Sequence, residues 1–283
     1  MSTLSHDVHV SAMTPVAPAA LKLPDGTAGS WSPLAHTLVH GPTEAALVDP
    51  PITRAQADAL GDWIEGFGKR LSFIYVTHGH GDHWLGTQPL VERFPGVTVL
   101  ATPSTIEAIR AAAPEGAATG LWPAAFPGQV AGAPLDLEAV PRDGFEVDGH
   151  ALLPVEAGHS DMDGTSVLHV PSIGLVAAGD VVYANVHQYL GEAGGGGLDA
   201  WRRALDTVAA LDPRHVVAGH REPAWPDSPA DIATTRGYLD SAEEVLASAT
   251  SARAYFDAMV ARYPDRVNPL TVWMSAVRLL PAA

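Results

Sequence analysis

Residues 71–83 read LSFIYVTHGHGDH, and this stretch decides the fold. LSFIYVT, residues 71–77, is a short run of β-favouring apolar residues, which predicts a strand buried on both faces. His78-Gly79-His80-Gly81-Asp82-His83 follows at once, placing three imidazoles and one carboxylate within six residues at the strand end. Imidazole and carboxylate are the donors that suit zinc and similar first-row metals. Gly79 and Gly81 are expected to let the backbone turn sharply, so that neighbouring ligands converge. The cluster lies inside the chain, which argues against a tag remnant.

Outward from this segment, strands and helices alternate. LAHTLVHGPTEAALVDP (34–50) predicts two strands joined by a Gly-Pro turn, and 53–69 predicts a helix from its apolar spacing. Residues 84–94 predict a helix with an early proline irregularity, 98–102 a strand and 103–113 a helix. Residues 114–147 are rich in Gly and Pro and read as a long surface segment with one or two short strands. Short β-like runs return at 149–157, 165–170, 173–178 and 215–219, with an amphipathic helix at 198–211 and about three helices over 229–281. The order predicts a layered α/β architecture of sheets covered by helices. The whole chain, 1–283, reads as one domain, with a core over about 30–225 and a helical C-terminal extension over about 229–281.

The ligands at 78–83 are too few for two closed metal sites. Three more strand ends supply the rest: VEAGHS ends in His159, LVAAGD in Asp180 and VVAGH in His220. Strand ends along one sheet edge are where α/β proteins collect functional groups.

The 283 residues are 47% hydrophobic and 17% charged, a globular balance. No run of about 18 apolar residues predicts a membrane span. The net charge of −16 disfavours a nucleic-acid partner. The chain has no cysteine, which excludes disulfides, thiolate ligands and a cysteine nucleophile. No G-x-S-x-G nucleophile elbow is present, and GEAGGGG (191–197) reads as a flexible stretch, since it lacks the Gly-Lys-Ser/Thr ending of a phosphate loop. The first 26 residues lack a basic start and a sustained apolar run. They read as a mobile or surface-laid leader, and a cytoplasmic location is expected.

HxHxDH, Gly-His, Gly-Asp and Gly-His in this order resemble the metallo-β-lactamase superfamily over residues 34–221. The resemblance implies an αββα sandwich with two metals at one edge of the packed sheets. It implies that His78, His80 and His159 hold the first metal and Asp82, His83 and His220 the second, with Asp180 bridging both. Asp49, at the end of AALVD, matches the early strand-end Asp that supports the ligand loop from behind. Zinc is the default metal, with iron, manganese or cobalt as alternatives. The implied mechanism is attack on a carbonyl by a hydroxide made between the two metals, and Asp82 is a candidate to orient that hydroxide or pass a proton.

The substrate is expected to be a small molecule. β-Lactamases of the superfamily usually carry Cys or Ser where this chain has Asp180. The pattern is closer to glyoxalase II and the quorum-quenching lactonases, so a lactone, ester or thioester is expected. Hydrolysis of a β-lactam stays an alternative, as does an iron-dependent persulfide dioxygenase-like oxidation. His80 speaks against the di-iron reductases, which usually have Glu there. A non-catalytic relative would be expected to lose ligands, and none is missing. Tyr183, three residues after Asp180, is similar to a tyrosine that contacts the substrate carbonyl in acyl-homoserine lactonases. The chain departs from those enzymes in GHSDMDGTS, where they have a Gly- and Pro-containing turn, and in its long C-terminal helices. Trp122, Phe126, Tyr183, His187 and Tyr189 are candidates to line the substrate wall. The sequence leaves the oligomeric state open.

Overall fold

A computed structural model describes residues 3–112, 120–130 and 136–281. Among these residues the backbone forms two principal sheets. The first runs β1 (Ser5–Ser11), β2 (Leu34–His40), β3 (Glu44–Val48), β4 (Arg70–Val76), β5 (Thr98–Ala101) and β6 (Glu138–Ala139), in spatial and chain order alike. β1, β2 and β3 pair antiparallel, and β3 through β6 pair parallel. The second sheet contains β7 (Phe145–Val147), β8 (His150–His159), β9 (Asp163–Val170), β10 (Leu175–Ala177) and β11 (His215–Val217). Its neighbours are antiparallel except β10 and β11, which are parallel.

Alternation along the strands makes the layers. Val39, Val48 and Tyr75 face one way and pack with Leu152, Leu168 and Val217 of the second sheet, forming the inter-sheet core. Leu38, Leu47 and Ile74, one residue out of step, face the other way. They pack under α1 (Arg54–Glu65), α2 (Thr87–Arg93) and α3 (Pro103–Ala112). The outer face of the second sheet contributes Val167, Val176 and Val216 to a third core. That core lies beneath α5 (Gly197–Ala210), α6 (Ala230–Leu246), α7 (Ala252–Arg262) and α8 (Pro269–Leu279). The order helices, sheet, sheet, helices is the αββα sandwich. Strands buried on both faces read as unbroken apolar runs, which is why LSFIYVT shows no polar alternation.

Several elements differ from the sequence reading. The leader contains an edge strand: β1 pairs with β2 from Ser5↔His40 to Ser11↔Leu34. Val8 and Val10 pack against the inter-sheet core while Ser5 and Asp7 face outward, so the segment earns its place through one apolar face. The long segment 114–147 lies partly outside the described residues. Its described parts hold a short helix, α4 (Leu121–Ala125), as well as β6 and β7. The predicted helix at 84–94 is confined to α2, behind a tight turn at 81–83. α1 starts where the sequence placed it, with a capping box between Thr53 and Gln56.

Two buried histidines bear on stability. His187, a candidate for the substrate wall, is a core residue: it is 1% exposed, and its Nδ1 is hydrogen-bonded to the Tyr238 hydroxyl at 3.0 Å. Burial, with the Arg266 charge nearby, pushes its pKa down to about 3. Burial likewise pushes His36 down to about 3. Both are neutral in the folded protein at neutral pH. The unfolded chain takes up these protons below about pH 6.5, so stability is full above that pH and is lost as pH falls towards 3. Urea unfolding of His187→Gln at pH 4, 5, 6 and 7 is expected to show an acid limb shallower by up to about 1.4 kcal/mol per pH unit. An unchanged slope would show that His187 is not a source of the acid sensitivity.

Candidate metal centre

The ends of β3, β4, β8, β10 and β11 carry Asp49, His78, His159, Asp180 and His220, each at or within a few residues of its strand's last residue. Asp49 organises the centre from behind. Its Oδ1 accepts from the Thr77 backbone N–H at 2.8 Å, and its Oδ2 from the Thr77 hydroxyl at 2.7 Å and His83 Nδ1 at 2.9 Å. The Asp49 carbonyl bonds His36 Nδ1 at 2.6 Å, and His36 Nε2 meets the Ser11 hydroxyl of β1 at 2.9 Å. The ring of His83 is thereby fixed with Nε2 pointing forward.

His220 is oriented in the same way. Its Nδ1 donates to the Pro33 carbonyl at 3.0 Å, so Nε2 faces the carboxylates. It lies 3.1 Å from Asp180 Oδ2 and 3.4 Å from Asp82 Oδ2. Asp82 also accepts a 2.8 Å hydrogen bond from Trp31 Nε1. Asp180 faces both imidazoles, with Oδ1 3.2 Å from His83 Nε2 and Oδ2 bound by the Tyr183 hydroxyl at 2.5 Å. Tyr183 therefore lines the cavity with its hydroxyl donated to a carboxylate.

On the other side stand His78, His80 and Asp161. His78 Nδ1 is held by the Thr77 hydroxyl at 3.0 Å. His80 Nδ1 is 2.6 Å from Asp161 Oδ2, and His80 Nε2 is 3.4 Å from Glu192 Oε1. His159 has its Nδ1 on Asp163 at 2.7 Å, and its Nε2 is packed close to Gly197.

The donor atoms that matter most have no hydrogen-bond partner. His78 Nε2, His83 Nε2, His159 Nε2 and Asp180 Oδ1 are buried without a hydrogen bond, although His83 Nε2 and Asp180 Oδ1 face each other at 3.2 Å. Buried polar atoms are costly to leave unpaired, and a cation is one species that satisfies them. Three groups of potential ligand atoms lie within 4.8 Å of one another: Asp49, His78 and His83; His78, His80 and Asp161; and Asp82, His83 and His220. Each of these groups could hold a metal ion. Asp49 is already saturated with donors, which leaves it a supporting role.

The charges agree with such a use. Burial lowers the His78 pKa to about 4, assisted by the positive field of His83. Burial also works against charge on His83 and His220, but Asp180 and the neighbouring carboxylates overcome it. His83 rises well above the usual histidine value, and His220 rises to about 10. Asp180 is correspondingly held well below the usual carboxylate range, because His220 and His83 outweigh its burial. The carboxylates thus supply a strongly negative field at the place where a cation would sit.

The glycines of HGHGDH act differently from the expectation. Neither Gly79 nor Gly81 has a positive φ. They are needed for close approach: a Cβ on Gly79 would fall 2.9 Å from Ala108 Cβ, and one on Gly81 2.5 Å from Trp122 Nε1. Gly219, just before His220, does the same for Asp180, whose Oδ1 occupies the place a Cβ would take.

A cavity of about 280 Å³ opens over the centre. Trp31, Trp84, Trp122, Tyr189 and Met274 form its apolar wall, and Arg278 donates to the Tyr189 hydroxyl at 3.0 Å beside it. Of the candidates for the substrate wall, Trp122, Tyr183 and Tyr189 line this cavity. Phe126 does not: it is buried beside Trp31 in the core under the first sheet, since α4 turns that face inward. Sequence reasoning missed Trp31, His36, Asp161 and Glu192. Only Asp161 carried a local signal, two residues after His159.

The fold and centre define a protein with clustered imidazoles and carboxylates that could hold metal at the edge of an αββα sandwich. The family whose sequence model matches is the metallo-beta-lactamase superfamily, over residues 36–220, and the chain belongs to it. A hydroxyacylglutathione hydrolase from Parasynechococcus marenigrum (strain WH8102) is 41% identical over 58 residues, covering 20% of this chain and 22% of that relative. The match therefore spans about a fifth of either protein. A metallo-beta-lactamase from Pontibacter korlensis superimposes with a TM-score of 0.59 at 19% identity, covering 85% of this chain and 99% of that one. The metallo-beta-lactamase FIM-1 from Pseudomonas aeruginosa, in its mono-zinc form, gives 0.59 at 17% identity, covering 85% and 96%. At these identities the likeness is one of fold.

Gly219→Ala is expected to displace the Asp180 carboxylate. Metal content after loading and desalting, read by plasma emission, should fall by half or more. Gly237→Ala on α6, where a Cβ would meet nothing within 4 Å, should leave metal content unchanged and raise stability by up to about 1 kcal/mol. Equal metal content in Gly219→Ala and the wild type would remove Asp180 from the centre.

Proposed function

We propose that the protein is a dinuclear metal-dependent hydrolase that cleaves the carbonyl of a lactone, ester or thioester. The observation that carries this reading is the convergence of buried imidazole and carboxylate atoms, several without a hydrogen bond, on the floor of an aromatic-walled cavity. The residues that would hold the first metal are His78 and His80, with His159 expected from the family resemblance. Asp82, His83 and His220 would hold the second, and Asp180 would face both. Zinc is the expected metal. Two such cations supply Lewis-acid polarisation of a carbonyl and lower the pKa of a shared water to about 7.

The chain's own residues do the rest. Trp31, Trp122, Tyr189 and Met274 offer an apolar wall to an acyl or aryl group and exclude water from the floor. Asp82 is held by Trp31 Nε1, so its carboxylate is fixed at the cavity floor, where it can orient a nucleophile or accept a proton. Tyr183 fixes Asp180 through its hydroxyl and stays protonated, since burial and Asp180 push its pKa well above the usual tyrosine value. This favours a positioning role over direct contact with a substrate carbonyl. The short likeness to a hydroxyacylglutathione hydrolase supports a thioester among the substrates to be tried first.

The test is a hydrolysis panel on zinc-loaded protein with and without chelator. It compares a glutathione thioester, an acyl-homoserine lactone, simple lactones, an aryl ester and a chromogenic cephalosporin. Chelator-sensitive turnover of a thioester, lactone or ester is expected. Turnover of the cephalosporin alone would move the reading to a β-lactamase. No turnover from protein that purifies with iron would move it to an oxidative relative. Asp82→Asn is expected to lower kcat by about 100-fold or more on the best substrate; full activity with unchanged metal content would refute its role.

A further inference from the structure

We propose that Asp161 is a ligand of the first metal position, which thereby takes a carboxylate beside His78 and His80. The inference deepens the metal-hydrolase reading and rests on it.

Asp161 sits in the turn between β8 and β9 and is 1% exposed. Its two oxygens have separate tasks. Oδ1 accepts a hydrogen bond from the Ser160 hydroxyl at 2.9 Å, and that hydroxyl is fixed in turn by Thr165 Oγ1 at 3.1 Å. Oδ2 points the other way, to His80 Nδ1 at 2.6 Å and His78 Nε2 at 3.7 Å. His78 Nε2 is fully buried and has no hydrogen-bond partner. An oriented carboxylate oxygen, a fixed imidazole and a second imidazole with an unpaired nitrogen therefore face one small volume. Their ligand atoms lie within 4.8 Å of one another, and His159 is in none of the three such groups found among the described residues. Asp161 also lines the cavity, on the same floor as Asp82 and Asp180.

A purely structural carboxylate would be turned away from an open cavity. Asp161 instead presents one oxygen to two imidazoles at the cavity floor. Mixed imidazole and carboxylate donors suit zinc, manganese or iron. A carboxylate there adds a full negative charge to the first position, beyond the imidazoles and the bridging Asp180 of the family-implied set.

The test is titration of the chelator-stripped full-length protein with cobalt(II), read by visible absorption and bound-metal analysis. Wild type is expected to take two equivalents. Asp161→Asn should weaken one of them by at least about 100-fold, the upper end of the cost of losing a residue that only supports a ligand. The absorption band of that site, once filled at high cobalt, should also change shape as an oxygen ligand is lost. Ser160→Ala, which frees Oδ1, should weaken the same equivalent by about 10-fold. Asp161→Glu should recover part of the affinity. Unchanged affinity in Asp161→Asn overturns the proposal. So does weakened affinity with a superimposable band, since Asp161 would then only position His80. If Asp161→Asn does not fold, wild-type affinity in both Ser160→Ala and Asp161→Glu is the overturning result. Two cobalt equivalents in a wild type that hydrolyses no carbonyl substrate would sink the hydrolase reading while leaving the ligand test intact. A wild type that binds no cobalt would overturn both.

Discussion

Burying several carboxylates and imidazoles at one sheet edge is the constraint around which this molecule is built. Asp49 shows how it is met. Its carboxylate joins the end of β3 to the backbone and side chain of Thr77 and to His83, so one buried charge is matched by three donors. Its own carbonyl is tied through His36 to Ser11 of the edge strand β1. An unpaired carboxylate at that depth would cost several kcal/mol. The network removes that penalty and fixes which nitrogen of His83 faces the centre.

The sandwich supplies the rigidity this network needs. Each central strand is gripped on both faces, with one set of residues in the inter-sheet core and the alternate set under helices. Trp201 of α5 is fully buried and donates to the Val181 carbonyl at 2.9 Å, which anchors the turn that carries Asp180. Imidazoles and carboxylates from two sheets can meet only because both sheets end at the same edge. The small residues there, Gly79, Gly81 and Gly219, give the turns and side chains room to approach.

Above the centre the character changes from polar to aromatic. Trp31 belongs to both zones: its Nε1 holds Asp82, and its ring packs against Trp122 with centroids 4.8 Å apart. A change in the wall at Trp31 would therefore reach Asp82. Glu192, next to His80, and Arg278, on Tyr189, place charges of both signs around the cavity. The pocket thus combines an apolar surface with a few fixed polar points, the usual composition of a small-molecule site.

By itself the sequence determined the layered α/β class, the buried strand 71–77, the helix at the start of 53–69 and the strand-end positions of the acidic and imidazole groups. These are local facts. A two-sided apolar run, a helical apolar spacing and a cluster of ligand types after a strand are visible without knowing what packs where. Only the tertiary structure decided that β1 closes the sheet edge, because a weak alternation in SHDVHVS gains meaning from the partner that buries Val8 and Val10. It also separated His187 and Phe126 from Trp122, Tyr183 and Tyr189, since the face a side chain presents depends on neighbours far along the chain. Asp161 shows the same limit. Its place two residues after His159 is plain in the sequence, but its approach to His78 and His80 depends on how the β8–β9 turn folds against the end of β4, some 80 residues earlier in the chain.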